Sequence, residues 1–228
     1  MGQSLSLALA KELGEQVVLG SPVIAIEHDV DGVRVHTTEA VHEASRAVIA
    51  VGPAACQRID FRPGLPEATG LLHNAWQPVH GRKINAVYDE PFWRAEGFSG
   101  SALTDVDAAP GVLDASPADG SVGVLACYAT GEVVAPSARV LETFAAMFGP
   151  KALEPMDYSE KLWRDEPYSF GCEGGLGISA LTTARALLKA PVGPIHWAGV
   201  ETADEWMGFM NGAVQAGERA AREVLAAG

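Results

Sequence analysis

The sequence predicts a mixed α/β fold. Three observations indicate this class. Residues 195–225 have the pattern of a strand, a turn and a helix, with Val214, Gly217, Ala221 and Leu225 at helical spacing. Residues 17–51 contain short β-branched runs with a hairpin signal, and residues 136–148 have the pattern of an amphipathic helix. Strand and helix patterns that alternate along one chain are typical of a sheet packed against helices.

The individual elements can be placed in chain order. Short β-branched runs at residues 17–19 and 23–26 are followed by a continuous apolar run from residue 47 that suits a buried strand. The dipeptide Asp31-Gly32 between two valines is a hairpin signal. Later segments are a surface excursion rich in Asp, Ala, Pro and Gly at 104–121 and a helix at 136–148 with Val140, Leu141, Phe144 and Phe148 on its buried face.

The composition is that of a folded protein and excludes several classes of function. Of the 228 residues, 48% are apolar and 20% are charged, with neither an apolar run near the roughly 18 residues of a membrane span nor a secretory signal. The formal net charge of −13 argues against nucleic acid as a partner, because phosphate neutralisation needs basic patches. The three cysteines are widely spaced and odd in number, which fits neither a disulfide framework nor a zinc site and favours a reducing, cytoplasmic compartment.

The C-terminal segment carries the strongest functional signal. A strand over 195–198 leads into Gly199 and Glu201, and a helix is expected to begin near Gly208. The first N–H groups of a helix have no intrahelical partners and lie at the positive end of its dipole, so they favour an electron-rich ligand. Small residues in the first turns would let a flat ligand approach closely. Without a ligand, the same pattern would be an ordinary α/β turn.

Two short motifs follow this strand, Gly-x-Glu-Thr-Ala at 199–203 and Trp-x-Gly-Phe-Met at 206–210. They closely resemble the C-terminal flavin-binding signature of the flavin-containing amine oxidases, the monoamine and polyamine oxidase group. The resemblance implies FAD as the cofactor. The positions that it implies are Gly208, Phe209 and Met210 at the flavin ring, and Gly199 and Glu201 near the ribityl-pyrophosphate arm.

The first fifty residues resemble the part of the same family that follows its dinucleotide-binding segment. A glycine-led helix precedes a strand in both. The register of the match places Val23 where relatives use a backbone group to hold the adenine end of the flavin dinucleotide. Taken alone, Val23 would be a core residue of a strand.

A third matching block begins at residue 81 with Gly-Arg-Lys-Ile-Asn-Ala-Val-Tyr and continues with Glu-Pro-Phe-Trp-Arg. Lys83 lies eight residues before Pro91, where the family carries the lysine that holds a water molecule against flavin N5. A lysine in that place can orient the water while oxygen re-oxidises the flavin. A lone lysine without this context would be a solvated surface charge.

The fourth matching block spans residues 158–172. Trp163 matches the family tryptophan that packs beside the flavin, and Cys172 falls where the animal monoamine oxidases attach their flavin through a thioether. For Cys172, a covalent link to FAD and a buried, inert thiol both stay open. Lys83 together with Trp163 favours the amine oxidases over the carotenoid desaturases and protoporphyrinogen oxidases, which share the C-terminal turn.

The residue after this cysteine departs from the family. The monoamine oxidases place aromatic rings on both sides of the substrate nitrogen, whereas this chain keeps Phe209 and has Glu173 in place of the other ring. Glu173 could pair with a second ammonium group, which would favour a diamine, or it could point to solvent from a glycine-rich loop. The expected substrate-binding residues are therefore Glu173 and Phe209, and the expected substrate class is an amine.

The resemblance covers nearly the whole chain but only about the C-terminal half of a family member. Members begin with a strand, a Gly-x-Gly-x-x-Gly turn and a helix that bind the flavin pyrophosphate, and this sequence contains no such motif. Either a second polypeptide supplies that part or the chain is a truncated piece. Because dividing a shared sheet exposes a strand edge and an apolar face, we expect a tight interface with a flavin-binding partner in a heteromer.

These matches predict three segments. Residues 1–50 belong to the FAD-binding domain, residues 51–163 form a substrate-binding lobe with a mixed sheet, and residues 164–228 supply the C-terminal flavin-binding strand and helix. With its partner, the chain would be a split FAD-dependent amine oxidase with Lys83 in the catalytic role, and the resemblance implies oxidation of an amine C–N bond to an imine with O2 reduced to H2O2. The alternative is a non-catalytic remnant that binds a partner through the same fold.

Overall fold

The computed structural model of the chain describes residues 2–79, 81–106, 108–130, 136–169, 172–175 and 185–227. The chain divides into two compact units, a first unit of Met1–Ala75 with Ser179–Gly228 and a second unit of Trp76–Ile178. Residues 51–75, which the sequence analysis assigns to the substrate lobe, thus lie in the first unit. The functional division at residues 50 and 163 stays a prediction.

The described chain contains both helices and strands. The α-helices, beside the helical residues 185–189, are α1 (Gly2–Leu13), α2 (Pro53–Cys56), α3 (Glu67–Ala75), α4 (Phe92–Ala95), α5 (Ser137–Phe148) and α6 (Met210–Ala226). The strands are β1 (Val23–His28), β2 (Val33–Thr37), β3 (Val41–Ala44), β4 (Ala47–Ile49), β5 (Asp60–Arg62), β6 (Gln77–Val79), β7 (Gly81–Tyr88), β8 (Ala102–Leu103), β9 (Gly111–Asp114), β10 (Gly123–Thr130), β11 (Asp157–Leu162), β12 (Cys172–Gly175) and β13 (Ile195–Trp197). Short 3₁₀ turns occupy Gly14–Gln16, Pro150–Leu153, Trp163–Asp165 and Val200–Thr202.

The described residues of the first unit form two groups of hydrogen-bonded strands. One is a mixed sheet in the order β3-β2-β1-β5, in which β1 and β5 are parallel and the other neighbours are antiparallel. The other is the parallel pair of β4 and β13. The mixed α/β class predicted from the sequence is confirmed.

The hairpin predicted at Asp31-Gly32 is also confirmed, since β1 and β2 pair directly through a loop over residues 29–32. The Asp29 carboxylate accepts hydrogen bonds from the N–H groups of Asp31 at 2.8 Å and Gly32 at 3.2 Å. These bonds fold the loop back on itself and keep the register of the two strands.

Helix α6 covers β13 and the turn that follows it. The predicted C-terminal helix is confirmed and begins at Met210, two residues after Gly208. Its buried side is formed by the small residues Gly212, Ala216 and Ala220, which let the helix lie close to the strand. Val214, which contributes to the apolar periodicity of the sequence, is exposed on the other side.

The second unit is built on a five-stranded sheet in the order β11-β7-β10-β9-β8, antiparallel throughout. The sequence predicts a mixed sheet in the substrate lobe. The sheet of the second unit is instead antiparallel, and the mixed sheet, with its parallel pair β1 and β5, belongs to the first unit. Helix α5 packs on one face, with Val140, Phe144 and Phe148 buried as predicted. The segment 104–121 is not only a surface excursion, because it includes β9.

Side chains alternate across β7, and this alternation defines the two faces of the sheet. Ile84, Ala86 and Tyr88 are buried in the core, while Lys83 before them points to the opposite, exposed face.

Among the helices that the structure describes, none is long and apolar enough to cross a membrane.

Candidate cofactor and substrate site

The turn after β13 is built on a very close approach of backbone segments. Gly199 is buried, and a Cβ atom at this position would lie 2.9 Å from the carbonyl oxygen of Val51 and 2.8 Å from Oε2 of Glu201. The Thr202 hydroxyl donates a hydrogen bond of 2.7 Å to the Gly199 carbonyl, and the Thr202 N–H donates to the same oxygen at 2.9 Å. Only glycine fits at position 199, so the sequence of the motif follows from this packing.

Glu201 lies half-buried over the backbone of this turn and of residue 52. A Cβ atom on Gly52 would lie 2.5 Å from its Oε1 atom. The carboxylate also affects a neighbouring thiol: burial, with a smaller contribution from the charge of Glu201, raises the pKa of Cys56 to about 12. Cys56 is thus an inert thiol of the core, and it is a free cysteine.

The beginning of α6 presents uncapped N–H groups beside an exposed aromatic surface. Gly208 has φ of +85°, and Phe209 occupies the N-cap position in an extended conformation without a side-chain hydrogen bond to the first turn. Trp206, Phe209 and Met210 are 60%, 62% and 58% exposed, and the rings of Trp206 and Phe209 meet edge to face with centroids 5.9 Å apart. Uncapped amides next to exposed rings fit a flat, electron-rich group such as a flavin ring.

The predicted adenine contact, Val23, is the first residue of β1. It pairs with Thr37 of β2, and the register shifts between Val23 and Ala25. Its side chain is 37% exposed, whereas Ala25 and Ile26 are buried. The strand therefore leaves Val23 accessible at its start, and its role at the adenine remains a prediction.

In the second unit Lys83 lies on β7, and Trp163 directly follows the neighbouring strand β11. Lys83 on β7 pairs directly with Lys161 on β11 and with Tyr128 on β10, so these three side chains share one face of the sheet. Trp163 follows the last residue of β11, and its buried Nε1 atom has no hydrogen-bond partner among the described residues. An indole N–H in this condition fits a site that an additional group completes.

Cys172 and Glu173 lie on β12, which pairs with β6. The register shifts between Cys172 and Gly174, so Glu173 occupies a β-bulge. Bulges often redirect a side chain and occur frequently near active sites. The side chains of Cys172 and Glu173 lie outside the described part of the structure, and both assignments stay predictions.

A cluster of charged and polar residues on the far side of the turn is missing from the sequence-based site. Arg219 of α6 donates hydrogen bonds from Nη2 to the Trp197 carbonyl at 2.5 Å and to the Thr202 hydroxyl at 2.8 Å, and from Nη1 to Glu223 at 2.6 Å. The other oxygen of Glu223 lies 3.1 Å from Nδ1 of the buried His196. The four-residue spacing of Arg219 and Glu223 was the only signal in the sequence.

The ionisation of Glu223 is fixed by this cluster. Burial raises its pKa, but the hydrogen bonds from His196 and Arg219 outweigh that effect and hold the pKa below its usual value. Glu223 is therefore a carboxylate at neutral pH and accepts from both partners.

Within the described residues there is no group of three or more His, Cys, Asp or Glu side chains that could hold a metal ion.

Comparison with known proteins bears on what this arrangement does. Residues 2–225 match the family described as "Flavin containing amine oxidoreductase". The chain is 37% identical to a flavin-containing amine oxidase of Danio rerio over 98% of its own length and 45% of that protein, and 34% identical to an L-amino acid dehydrogenase of Synechocystis over 95% of its length and 48% of that protein. Its fold superposes on wild-type putrescine oxidase bound to putrescine with a TM-score of 0.93, at 31% identity, over 98% of this chain and 52% of that one.

The lengths of these relatives limit what the match means. The chain spans about half the length of the curated relatives it matches. The same holds for the solved structures, in which it covers about half of the other chain. The resemblance drawn from the motifs is nevertheless confirmed over almost every residue, and the chain belongs to the flavin-containing amine oxidoreductase family.

Proposed function

We propose that this chain is the C-terminal half of an FAD-dependent amine oxidase, and that it works together with a polypeptide that carries the dinucleotide-binding segment. The observation that carries the proposal is the uncapped beginning of α6, next to the glycine turn at 199–202 and the exposed rings of Trp206 and Phe209. Membership of the family supports it.

Several residues of the chain would hold the cofactor. The first-turn amides of α6, beginning with Met210, would donate to the electron-rich edge of the flavin ring, with Gly208 and Phe209 beside it, and the turn with Gly199 and Glu201 would face its ribityl-pyrophosphate arm. The FAD-binding residues in the proposal are Val23, Trp163, Cys172, Gly199, Glu201, Gly208, Phe209 and Met210. When bound, the flavin supplies the two-electron oxidation of the amine C–N bond and passes the electrons to oxygen, which gives H2O2.

Lys83 is the proposed catalytic residue. Its side chain lies on the exposed face of β7. Lys161 lies directly opposite on the neighbouring strand β11 and forms an ion pair with Glu166. An ammonium group on this face can orient a water molecule for the re-oxidation step. One relative is named a dehydrogenase, a name that does not specify oxygen as the electron acceptor, so the oxygen step is the part of the proposal that rests most directly on Lys83.

The substrate would be a primary or secondary amine, bound by Phe209 and Glu173. Phe209 provides an exposed ring in the first unit, and Glu173 supplies the carboxylate at the bulge of β12. A carboxylate can pair with the second ammonium group of a diamine, and a similar solved structure contains putrescine, which is a diamine. We therefore propose that the enzyme prefers diamines to amines with one nitrogen.

A large apolar surface supports the need for a partner. On α1, the residues Leu5, Leu7, Leu9 and Leu13 are 49–61% exposed, so about half or more of the surface of each leucine is uncovered in the described part of the chain. Exposed leucines on one helix are typical of an interface. We propose that the flavin-binding polypeptide covers them in a heteromer, and that the complex acts in the reducing environment of the cytoplasm, where Cys56 and Cys127 stay free.

An absorbance spectrum tests the proposal. The chain would be purified alone, then co-produced with the polypeptide encoded directly upstream, and separately with the remaining half of putrescine oxidase. Flavin bands near about 370 and 450 nm are expected only in the co-produced samples. Bands that persist in acid-precipitated protein, and disappear in Cys172→Ala, would establish the covalent link.

Activity measurements separate an enzyme from a non-catalytic remnant. In the flavin-loaded complex, Lys83→Met should slow re-oxidation by O2 at least about tenfold. Lys151→Met is the matched control, because Lys151 is an exposed lysine of the same unit whose ion pair, with Glu90, lies at the surface. Absence of flavin bands with either partner would contradict the enzyme proposal and leave the interaction module as the function.

A further inference from the structure

We propose that Arg219 is a positioning residue that fixes the 199–202 turn against α6 before the cofactor binds, and that Glu223 and His196 hold Arg219 in place. This inference rests on the proposed function, because it assigns the turn and the first residues of α6 to the flavin. Arg219 itself would not touch the cofactor.

The two flavin-binding segments of the first unit belong to different elements. The turn continues from β13, whereas Gly208, Phe209 and Met210 lie at the beginning of α6, after an intervening loop. A flavin that contacts both segments needs them at a fixed separation. Preorganisation of this kind reduces the free energy that binding must spend on ordering the protein.

One guanidinium group makes this connection. Its Nη2 donates both to the Trp197 carbonyl, at the last residue of β13, and to the Thr202 hydroxyl, at the last residue of the turn. The Thr202 hydroxyl in turn donates a hydrogen bond to the Gly199 carbonyl at 2.7 Å. The strand end, both ends of the turn and α6 are thus tied to a single side chain that is only 18% exposed.

The cluster behind Arg219 prevents it from adopting other rotamers. Glu223 lies one helical turn further along α6 and accepts from Arg219 with one oxygen. Its second oxygen faces Nδ1 of His196, a side chain of β13 that is 5% exposed. The carboxylate is therefore held from two sides. It holds the guanidinium group in the orientation in which Nη1 and Nη2 can both donate their hydrogen bonds.

Charge alone could not perform this role. A lysine at position 219 would keep the positive charge near Glu223 but has one nitrogen in place of a planar fork, so it could not reach Glu223 and the turn together in the same geometry. Arg219→Lys therefore separates the effect of the side-chain geometry from the effect of the charge.

The test uses Arg219→Met and Arg219→Lys in the chain without flavin. Arg222→Met is the matched control, because Arg222 lies on the same helix, is 70% exposed, and forms its ion pair with the exposed Glu218 at 3.7 Å. The readout is amide hydrogen exchange at Thr202 and Ala203, whose N–H groups donate to Gly199 and Val200 within the turn.

We expect exchange at these two amides to rise about tenfold or more in Arg219→Met and in Arg219→Lys, with little change in the middle of α6 and no change in Arg222→Met. Arg219→Lys should retain most of the thermal stability that Arg219→Met loses. An equal rise along the whole of α6, or unchanged exchange in the turn, would show a merely structural contact and overturn the proposal.

A second readout concerns the cofactor. In the complex with a flavin-binding half, the dissociation constant for FAD should rise at least about tenfold in Arg219→Met and stay constant in Arg222→Met. An unchanged constant would also overturn the proposal. If the unsubstituted chain binds no flavin with any partner, the proposed function fails, and the exchange data still decide whether Arg219 orders the turn.

Discussion

Acid should destabilise the first unit through one buried histidine. His73 on α3 is 4% exposed, and its ring packs edge to face on Trp197 with centroids 4.8 Å apart. Its Nδ1 atom is buried without a hydrogen-bond partner among the described residues. Burial disfavours the charged ring and lowers the pKa of His73 from 6.5 to about 4.

The direction and size of the effect follow from this shift. Between pH 6.5 and 4 the unfolded chain binds a proton at His73 that the folded chain does not, so stability falls as the pH falls through this window and the loss is complete below it. The full shift corresponds to about 3 kcal/mol, since one pKa unit is worth about 1.4 kcal/mol. At about pH 5, about 2 kcal/mol of this would already be lost relative to about pH 8.

Urea denaturation at about pH 8 and about pH 5, followed by tryptophan fluorescence, measures the free energy of unfolding. His73→Leu should be within about 1 kcal/mol of the original protein at the higher pH, because it loses an aromatic contact but also removes a buried nitrogen without a partner in the described chain. It should lose about 2 kcal/mol less than the original between the two pH values. His42→Leu, at an exposed position of β3, is the control and should keep the full acid sensitivity. Equal losses in the original and in His73→Leu would refute the reasoning.

Three further predictions concern packing and thiol chemistry. Gly212→Ala should lower stability by about 1–3 kcal/mol in thermal unfolding, although alanine has the better helix propensity, because the new Cβ atom would overlap a backbone oxygen of the preceding turn. A gain in stability would show that this turn can move to make room for the Cβ atom. Phe144→Ala should cost about 3–5 kcal/mol because the ring is fully buried in the second unit, whereas Leu103→Ala, at a position 91% exposed, should stay within about 0.5 kcal/mol in the same denaturation assay. Cys56 and Cys127 are buried, and burial is the main cause that raises the pKa of each thiol. Both should therefore stay unmodified by iodoacetamide, as measured by mass spectrometry, until the chain is unfolded, and rapid modification in the folded state would contradict the described core.

Some elements could be predicted because their information is local. The hairpin at Asp31-Gly32 is specified by turn residues between β-branched runs, and helix α5 by a buried stripe at Val140, Phe144 and Phe148. The run at 17–19, by contrast, is not a strand, and its β-branched residues did not suffice because strand formation needs a neighbour with which to pair. Pairing partners are distant in sequence, so local patterns cannot identify them.

The candidate site divides in the same way. The candidate flavin-binding turn could be predicted because its short motif requires specific residues: Gly199 must lack a side chain, and Gly208 must adopt a positive φ. Arg219 was missed, although its contacts order the same turn. Its partners lie on three separate elements, and nothing in the spacing of the sequence shows that they meet.

The sequence by itself determined the family, the strand, turn and helix that would meet the flavin, and the identity of the residues expected to act, because each of these depends on neighbouring residues or on a short motif. Only the tertiary structure decided that α6 buries Gly212, Ala216 and Ala220 rather than Val214, that Lys83 shares a sheet face with Lys161 and Tyr128, and that Arg219 ties the turn to the helix. These outcomes depend on which surfaces come within contact distance, and that is a property of the packed chain rather than of any one segment.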